Sequence, residues 1–403
     1  MHSPVRKNFF AGIAVILLGL CFACDDEDDI INAPEQKKTQ TLLMYMPWSG
    51  NLTSYFLDNI NDMGKAIQTG ILKNERVLVF LATSSNRAKM FELVYNEKGD
   101  TCIRKPLKNY ENHPCTTKEG ITSLLEDVKG FAPANRYSMT IGGHGMGWIY
   151  ANKSRSYPLS ADTKRTEPLF HWEYTEGPLT RYFGGTSSDT QTDISTLAEG
   201  ISESGLHMEY ILFDDCYMSC VEVAYELRHV TDHLIASTSE IMAKGMPYEE
   251  IGTHLVGEID YEAICECFHT FYSNYSPPCG TIAVTRTDEL DSLASIMKEI
   301  NTRFTFNGLQ ADSLQHLDGY TPCIFYDYGD YVTKLCQDTT ILNRFNDQLN
   351  RTVIHHRHTP YYYSAISGRK EKIIRFSGIT CSDPSTHRLT QQKSSTSWYK
   401  ATH

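Results

Sequence analysis

The chain has 403 residues, 41% of them hydrophobic and 21% charged, which is enough apolar material for one large domain or two modest ones. Its formal net charge of -12 argues against a nucleic-acid groove, which needs clustered Lys and Arg. Ordinary soluble enzymes and surface proteins remain open.

The first 24 residues stand apart from the rest. Arg6 and Lys7 form a short basic region, and Phe9 to Leu20 is an apolar run of signal-peptide length, short of the roughly 20 residues a membrane span needs. Ala23-Cys24 at its end resembles a bacterial lipobox, with Cys24 as the lipidated N-terminus after cleavage. Cys21 is the poorer candidate because the bulky Leu20 precedes it. Residues 1–24 are therefore expected to be a lipoprotein signal peptide. The acidic run Asp25 to Asp29 resembles the tether of lipoproteins carried to the outer cell surface, and residues 25–40 are expected to be a flexible tether.

Order is expected from Thr41. Thr41 to Met46 is a continuous apolar run, the signature of a strand buried on both faces. Asn51 to Lys65 has helical spacing, with Leu52, Phe56, Ile60 and Met63 on one side. Val77 to Leu81 is a second buried strand, and Met90 to Tyr95 with the stretch around Ile103 reads as a hairpin. Thr117 caps a helix to Lys129 that buries Ile121, Leu124, Leu125 and Val128. Tyr137 to Ile141 is a third buried strand and runs into Gly142-Gly143-His144-Gly145. Asn152 to Asp189 is polar and aperiodic, a long surface insertion. A helix from Ile194 to Ile201, capped by Thr192 or Asp193, precedes a fourth strand, Met208 to Phe213, which runs into Asp214-Asp215-Cys216. Cys220 to Leu227 continues as helix and His233 to Ala236 is a fifth strand.

Alternating strands and helices with near-continuous apolar strands predict an α/β domain with a mostly parallel sheet over residues 41–278. Residues 279–403 form a C-terminal α/β extension or subdomain: a strand at 281–284, helices at 288–302 and 342–353, and an apolar run at 373–379. The ten cysteines beyond Cys24 are irregularly spaced and read as buried small hydrophobes; no spacing supports a zinc site.

Active sites in open parallel sheets lie outside the carboxyl ends of the strands. His144 ends one strand and Cys216 another. Glycines around His144 let its turn approach a ligand, and a helix start after Cys216 would favour its thiolate. A thiolate beside an imidazole is a nucleophile–base pair. Residue alternation lets Asp214 share a direction with Cys216, where a carboxylate would attract Arg or Lys, while Asp215 faces away or is a solvated turn residue.

These residues resemble the clostripain-type cysteine peptidases, which share the caspase-like α/β/α sandwich. The likeness is carried by Leu43-Met44-Tyr45-Met46 with Asn51-Leu52, by Gly143 to Trp148, by Phe213 to Met218 with Glu222 to Leu227, and by Ala236-Ser237 with Gly245 to Tyr248. It implies an endopeptidase in which Cys216 attacks the scissile carbonyl and His144 protonates the leaving amine. The N–H groups of Gly145 and Cys216 form the oxyanion hole. Asp214 floors the first specificity pocket and favours Arg or Lys, with Ser237 lining it. A protein or peptide is the substrate. The resemblance also brings calcium and internal cleavage into view. No residue identifies a calcium site, but the insertion holds Lys153, Arg155, Lys164, Arg165 and Arg181. The residue before the cysteine is usually small in that family and here is Asp215, which opposes thiolate formation. That departure supports an alternative, an inactive surface lipoprotein of the same fold that binds peptide or glycan. A metal-dependent hydrolase is the weakest reading, since no spacing supplies three ligands.

Overall fold

The computed structural model describes residues 39–47, 50, 52–150 and 192–403. The leader with Cys24, nearly all of the expected tether and the insertion from Asn152 to Asp189 lie outside the described residues.

Strand β1 (Gln40–Met46) is buried throughout, as its unbroken apolar run requires. It starts one residue before the expected edge of the tether, because Gln40 is buried and its Nε2–H donates to Ser138 Oγ at 2.9 Å. Helix α1 (Thr53–Gln68) buries Phe56, Ile60, Met63 and Ile67 along one stripe. Strand β2 (Arg76–Ser84) is followed by the hairpin β3 (Arg87–Asn96) and β4 (Thr101–Glu111), paired antiparallel with Val94 opposite Ile103. β4 is the sheet edge, and Lys105, Pro106 and Lys108 on it discourage further pairing. Helix α2 (Lys118–Phe131) is capped by Thr117, whose Oγ1 accepts from Gly120 N–H at 3.1 Å.

Strand β5 (Arg136–Gly142), helix α3 (Ile194–Glu203), strand β6 (Met208–Asp214), helix α4 (Val221–Leu227) and strand β7 (His233–Ala236) complete the central part. Beyond them come α5 (Tyr248–Ile251), α6 (Tyr261–Ser273), β8 (Thr281–Arg286) and α7 (Leu290–Arg303). Next are β9 (Tyr326–Asp327), α8 (Tyr328–Leu335), α9 (Thr339–Thr352) and β10 (Val353–His358). The hairpin β11 (Tyr361–Ser364) and β12 (Arg369–Lys372), β13 (Thr380–Cys381) and α10 (Ser397–Thr402) end the chain. The apolar run at 373–379 forms no regular element; Ile373 is buried and Ile374 exposed.

Nine strands form one sheet in the order β10-β8-β7-β6-β5-β1-β2-β3-β4. β7, β6, β5, β1 and β2 run parallel, and antiparallel strands flank them on both sides. Helices α1, α5 and α6 pack together on one side, and α2, α3, α4, α7, α9 and α10 on the other. This is the expected α/β/α sandwich. The chain leaves β1 toward β2 and later returns to β5 on the opposite flank, so the strand order reverses between β1 and β5. Residues after 278 add β8 and β10 to this same sheet, and Lys38–His403 is one compact unit. They extend the first sheet instead of closing a separate core. Among the described residues no helix is long and apolar enough to cross a membrane.

Candidate active site

β5 and β6 are adjacent and parallel, with Gly142 paired to Asp214. His144 and Cys216 each follow two residues past this pair, on neighbouring turns. The two turns touch. A Cβ on Gly145 would stand 2.2 Å from the Cys216 carbonyl oxygen and 2.8 Å from its nitrogen, so only glycine fits there. Gly147, at φ +57°, is confined in the same way by the Phe325 ring, 2.8 Å from a would-be Cβ. Gly145 is therefore demanded by close packing against the turn that carries the cysteine, and Gly147 by the Phe325 ring. Both His144 and Cys216 are buried.

The Cys216 turn differs from its expected form. Helix α4 begins at Val221, and its N-cap is Cys220, not Cys216. A helix-end field fades within about one turn, so α4 does not sit on the sulfur. Tyr217 instead adopts φ +62°, a left-handed conformation that side chains rarely take. Residues 217–219 then run antiparallel to 237–239: Tyr217 N–H donates to Ser239 O at 3.1 Å and Ser219 N–H to Ser237 O at 2.9 Å. The sulfur of Cys216 faces Ile241, whose N–H donates to it at 3.4 Å and whose carbonyl lies 3.8 Å away.

Asp214 and Asp215 are both fully buried, which removes the solvated-turn reading of Asp215. Asp214 Oδ1 accepts from Met246 N–H at 2.8 Å, so its carboxylate is turned toward the 242–246 loop, as the sulfur is turned toward Ile241. That loop is held from outside by Tyr272, whose hydroxyl donates to Gly245 O at 2.6 Å, and by Asn59, whose Nδ2–H donates to Lys244 O at 2.9 Å. Asp215 has its Cβ against Gly145, on the His144 turn. Ser237 is buried too; its hydroxyl is within 2.8 Å of Thr281 Oγ1 and donates to Ser239 O at 3.0 Å. It pins the 237–241 segment to β8.

The C-terminal residues form a second layer beneath both turns, which sequence reasoning missed. Phe325 stacks on Tyr217 with ring centroids 4.8 Å apart. Tyr320 donates its hydroxyl to the Met146 sulfur at 3.2 Å, and Trp148 Nε1–H donates to Ser382 Oγ at 2.9 Å. Asp318 fixes the 318–325 loop by accepting from Tyr320, Ile324 and Phe325 N–H groups, and burial pushes its carboxyl up to about 6. Thr380 N–H donates to Ser219 O at 3.0 Å. Glu240, also missed, accepts from the Tyr217 hydroxyl at 2.7 Å.

Cys220 is a buried free thiol, raised well above the usual range by desolvation and then by Glu222. All ten cysteines among the described residues are free. No group of three or more His, Cys, Asp or Glu among the described residues converges on a metal position.

With this geometry in hand, a family model described as the clostripain family matches residues 44–382. The chain belongs to the clostripain family. It is a cysteine peptidase, and the reading of an inactive binder is set aside. A secreted C11 cysteine protease from Bacteroides thetaiotaomicron is 56% identical over 91% of this clostripain-family chain and 99% of its own, with a TM-score of 0.83. A clostripain from the same organism, in complex with a peptide inhibitor, is 64% identical; the match covers 55% of this chain and 99% of that one, with a TM-score of 0.54. An inactive zymogen C11 protease from Parabacteroides distasonis is 26% identical over 90% of this chain and 98% of its own, with a TM-score of 0.74. None of the curated proteins matches.

Proposed function

We propose that this peptidase cleaves peptide bonds after Arg or Lys by a Cys216–His144 dyad. The observation that carries the reading is the β5–β6 register, which sets the two side chains at neighbouring strand ends with Gly145 pressed on the Cys216 backbone. The Cys216 sulfur attacks the scissile carbonyl carbon, and the carbonyl electrons move onto its oxygen. The Gly145 and Cys216 N–H groups receive that charge; one such donor is commonly worth roughly 2.7–4 kcal/mol. His144 gives its proton to the departing amine, and then takes one from the water that hydrolyses the thioester. Asp214 supplies negative charge at the floor of the first specificity pocket, and Ser237 holds the pocket wall. The inhibitor bound to the Bacteroides clostripain, BTN-VLTK-AOMK, has Lys next to its AOMK group, in keeping with a basic residue at that position.

The enzyme is exported, as its relatives described as secreted suggest, and stays attached through a lipid on Cys24 after loss of residues 1–23. Residues 25–39 then act as a tether that holds the enzyme at the outer surface.

Incubation of the full chain with Arg-, Lys- and Leu-ended fluorogenic peptides under reducing conditions tests the activity. Release from the basic peptides alone, abolished in Cys216→Ala and in His144→Ala, is expected. Turnover that survives Cys216→Ala would refute the dyad. Mass spectrometry of the mature N-terminus tests the anchor: a diacylglyceryl Cys24 is expected, and an unmodified N-terminus contradicts it.

A further inference from the structure

The sulfur of Cys216 lacks the helix start that sequence suggested, and carboxylates sit one and two residues before it. Both features work against a thiolate. Ile241 meets the sulfur with both backbone groups: its N–H donates at 3.4 Å, and its carbonyl oxygen lies farther off at 3.8 Å. A hydrogen bond from N–H to an ionised acceptor is stronger than one to a neutral acceptor, so this donor favours the thiolate over the thiol.

That donor is held by a closed ring. Cys216 is bonded to Tyr217, and Ile241 to Glu240. The Tyr217 hydroxyl donates to Glu240 Oε1 at 2.7 Å, while Ile241 N–H reaches the Cys216 sulfur. Tyr217 N–H to Ser239 O, at 3.1 Å, cross-braces the ring. Glu240 is only 1% exposed and is anchored from a third element: Ser364 Oγ–H donates to Oε1 at 2.7 Å, and Ala365 N–H reaches Oε1 and Oε2 at 3.1 and 3.0 Å. Phe325 packs flat on the Tyr217 ring from the other side. Tyr217 sits at φ +62°, a conformation that persists only when its surroundings fix it.

We propose that Glu240, acting through Tyr217, is a positioning residue that keeps the Ile241 amide on the Cys216 sulfur and so sets the fraction of nucleophilic thiolate. The inference rests on Cys216 being the nucleophile. It makes the β11 end part of the machinery, because Ser364 and Ala365 aim the Glu240 carboxylate.

The test is the pH dependence of Cys216 alkylation by iodoacetamide in the full chain, followed on the Cys216 peptide by mass spectrometry. Tyr217→Phe removes the hydroxyl without adding charge. Its titration should move to higher pH, with alkylation at neutral pH slowed roughly tenfold and kcat falling more than KM rises. Glu240→Gln keeps an Oε1 acceptor for Tyr217, Ser364 and Ala365 and should alkylate within about twofold of wild type. Ser364→Ala, a milder change, should shift the titration in the same direction as Tyr217→Phe and serves if that variant fails to fold. Thermal melts identify the folded variants. Folded Tyr217→Phe or Ser364→Ala proteins that lose stability but titrate like wild type overturn the proposal. Persistent cleavage by Cys216→Ala would instead sink the nucleophile assignment, a separate result from the titration.

Discussion

Asp214 carries two duties that one substitution separates. Its carboxylate accepts from Met246 N–H and so shapes the 242–246 loop, and its charge is proposed to recognise a basic side chain. Asp214→Asn keeps an acceptor for Met246 and removes the charge. A charged hydrogen bond is worth about 1.5–3 kcal/mol. Cleavage after Arg and Lys should therefore drop at least about tenfold in kcat/KM, with little change in Tm. Equal kcat/KM for both proteins on a Lys-ended peptide would remove Asp214 from the pocket. His144 and Cys216 stand out as candidates in the sequence because each lies just past a mostly apolar run, where a parallel sheet exposes chemistry. Glu240 and Tyr217 do not. Their meaning lies in contacts to Ser364, Ala365 and Phe325, more than a hundred positions away.

At the level of elements, the glycine-rich turn after β5 and the turn after β6 behave as one unit. Gly145→Ala would drive a methyl group into backbone atoms of Cys216, which have no flexible end to yield. Stability should fall by about 1–3 kcal/mol and activity should be nearly lost. A Gly145→Ala enzyme with wild-type melting and turnover would mean that the turns are not in contact. The parallel strands, α2 with its Thr117 cap and the β3–β4 hairpin follow from local pattern. Several other elements do not, among them α6, β10 and the turn after Cys216. That turn reads as a helix start because nothing local announces a left-handed tyrosine. α6 hid because Cys265 and Tyr272 occupy buried positions among Glu262, Glu266 and His269. β10 hid because an edge strand tolerates His355, His356 and Arg357, which mask any alternation.

Across the whole molecule, the chain after 278 underlies the catalytic layer. Trp398 on α10 is fully buried, edge-on to Tyr225 of α4 at 5.3 Å and to Tyr328 at 6.0 Å. Trp398→Ala should cost about 3–5 kcal/mol by denaturant unfolding. A cost below about 1 kcal/mol would show that α10 is an accessory. Glu222, also on α4, accepts from Ser382 N–H at 2.7 Å, and desolvation, then Asp383, pushes its carboxyl up to about 8. The folded protein therefore holds this proton where the unfolded chain, with a value near 4.5, has released it. Its stabilising contribution is complete below about 4.5 and is lost as pH rises through about 8. Glu222→Gln mimics the protonated form. The variant should match wild type in Tm at pH 4.5 and exceed it at pH 9, and a constant difference between the two would contradict this.

The dyad faces its most direct test in covalent trapping. The full chain would be treated with a Lys-ended thiol-reactive peptide ketone, and every cysteine peptide weighed. The account predicts one adduct, on Cys216, formed far more slowly in His144→Ala and in Asp214→Asn. An adduct on another cysteine, or one formed on Cys216 at an unchanged rate without His144, would contradict it.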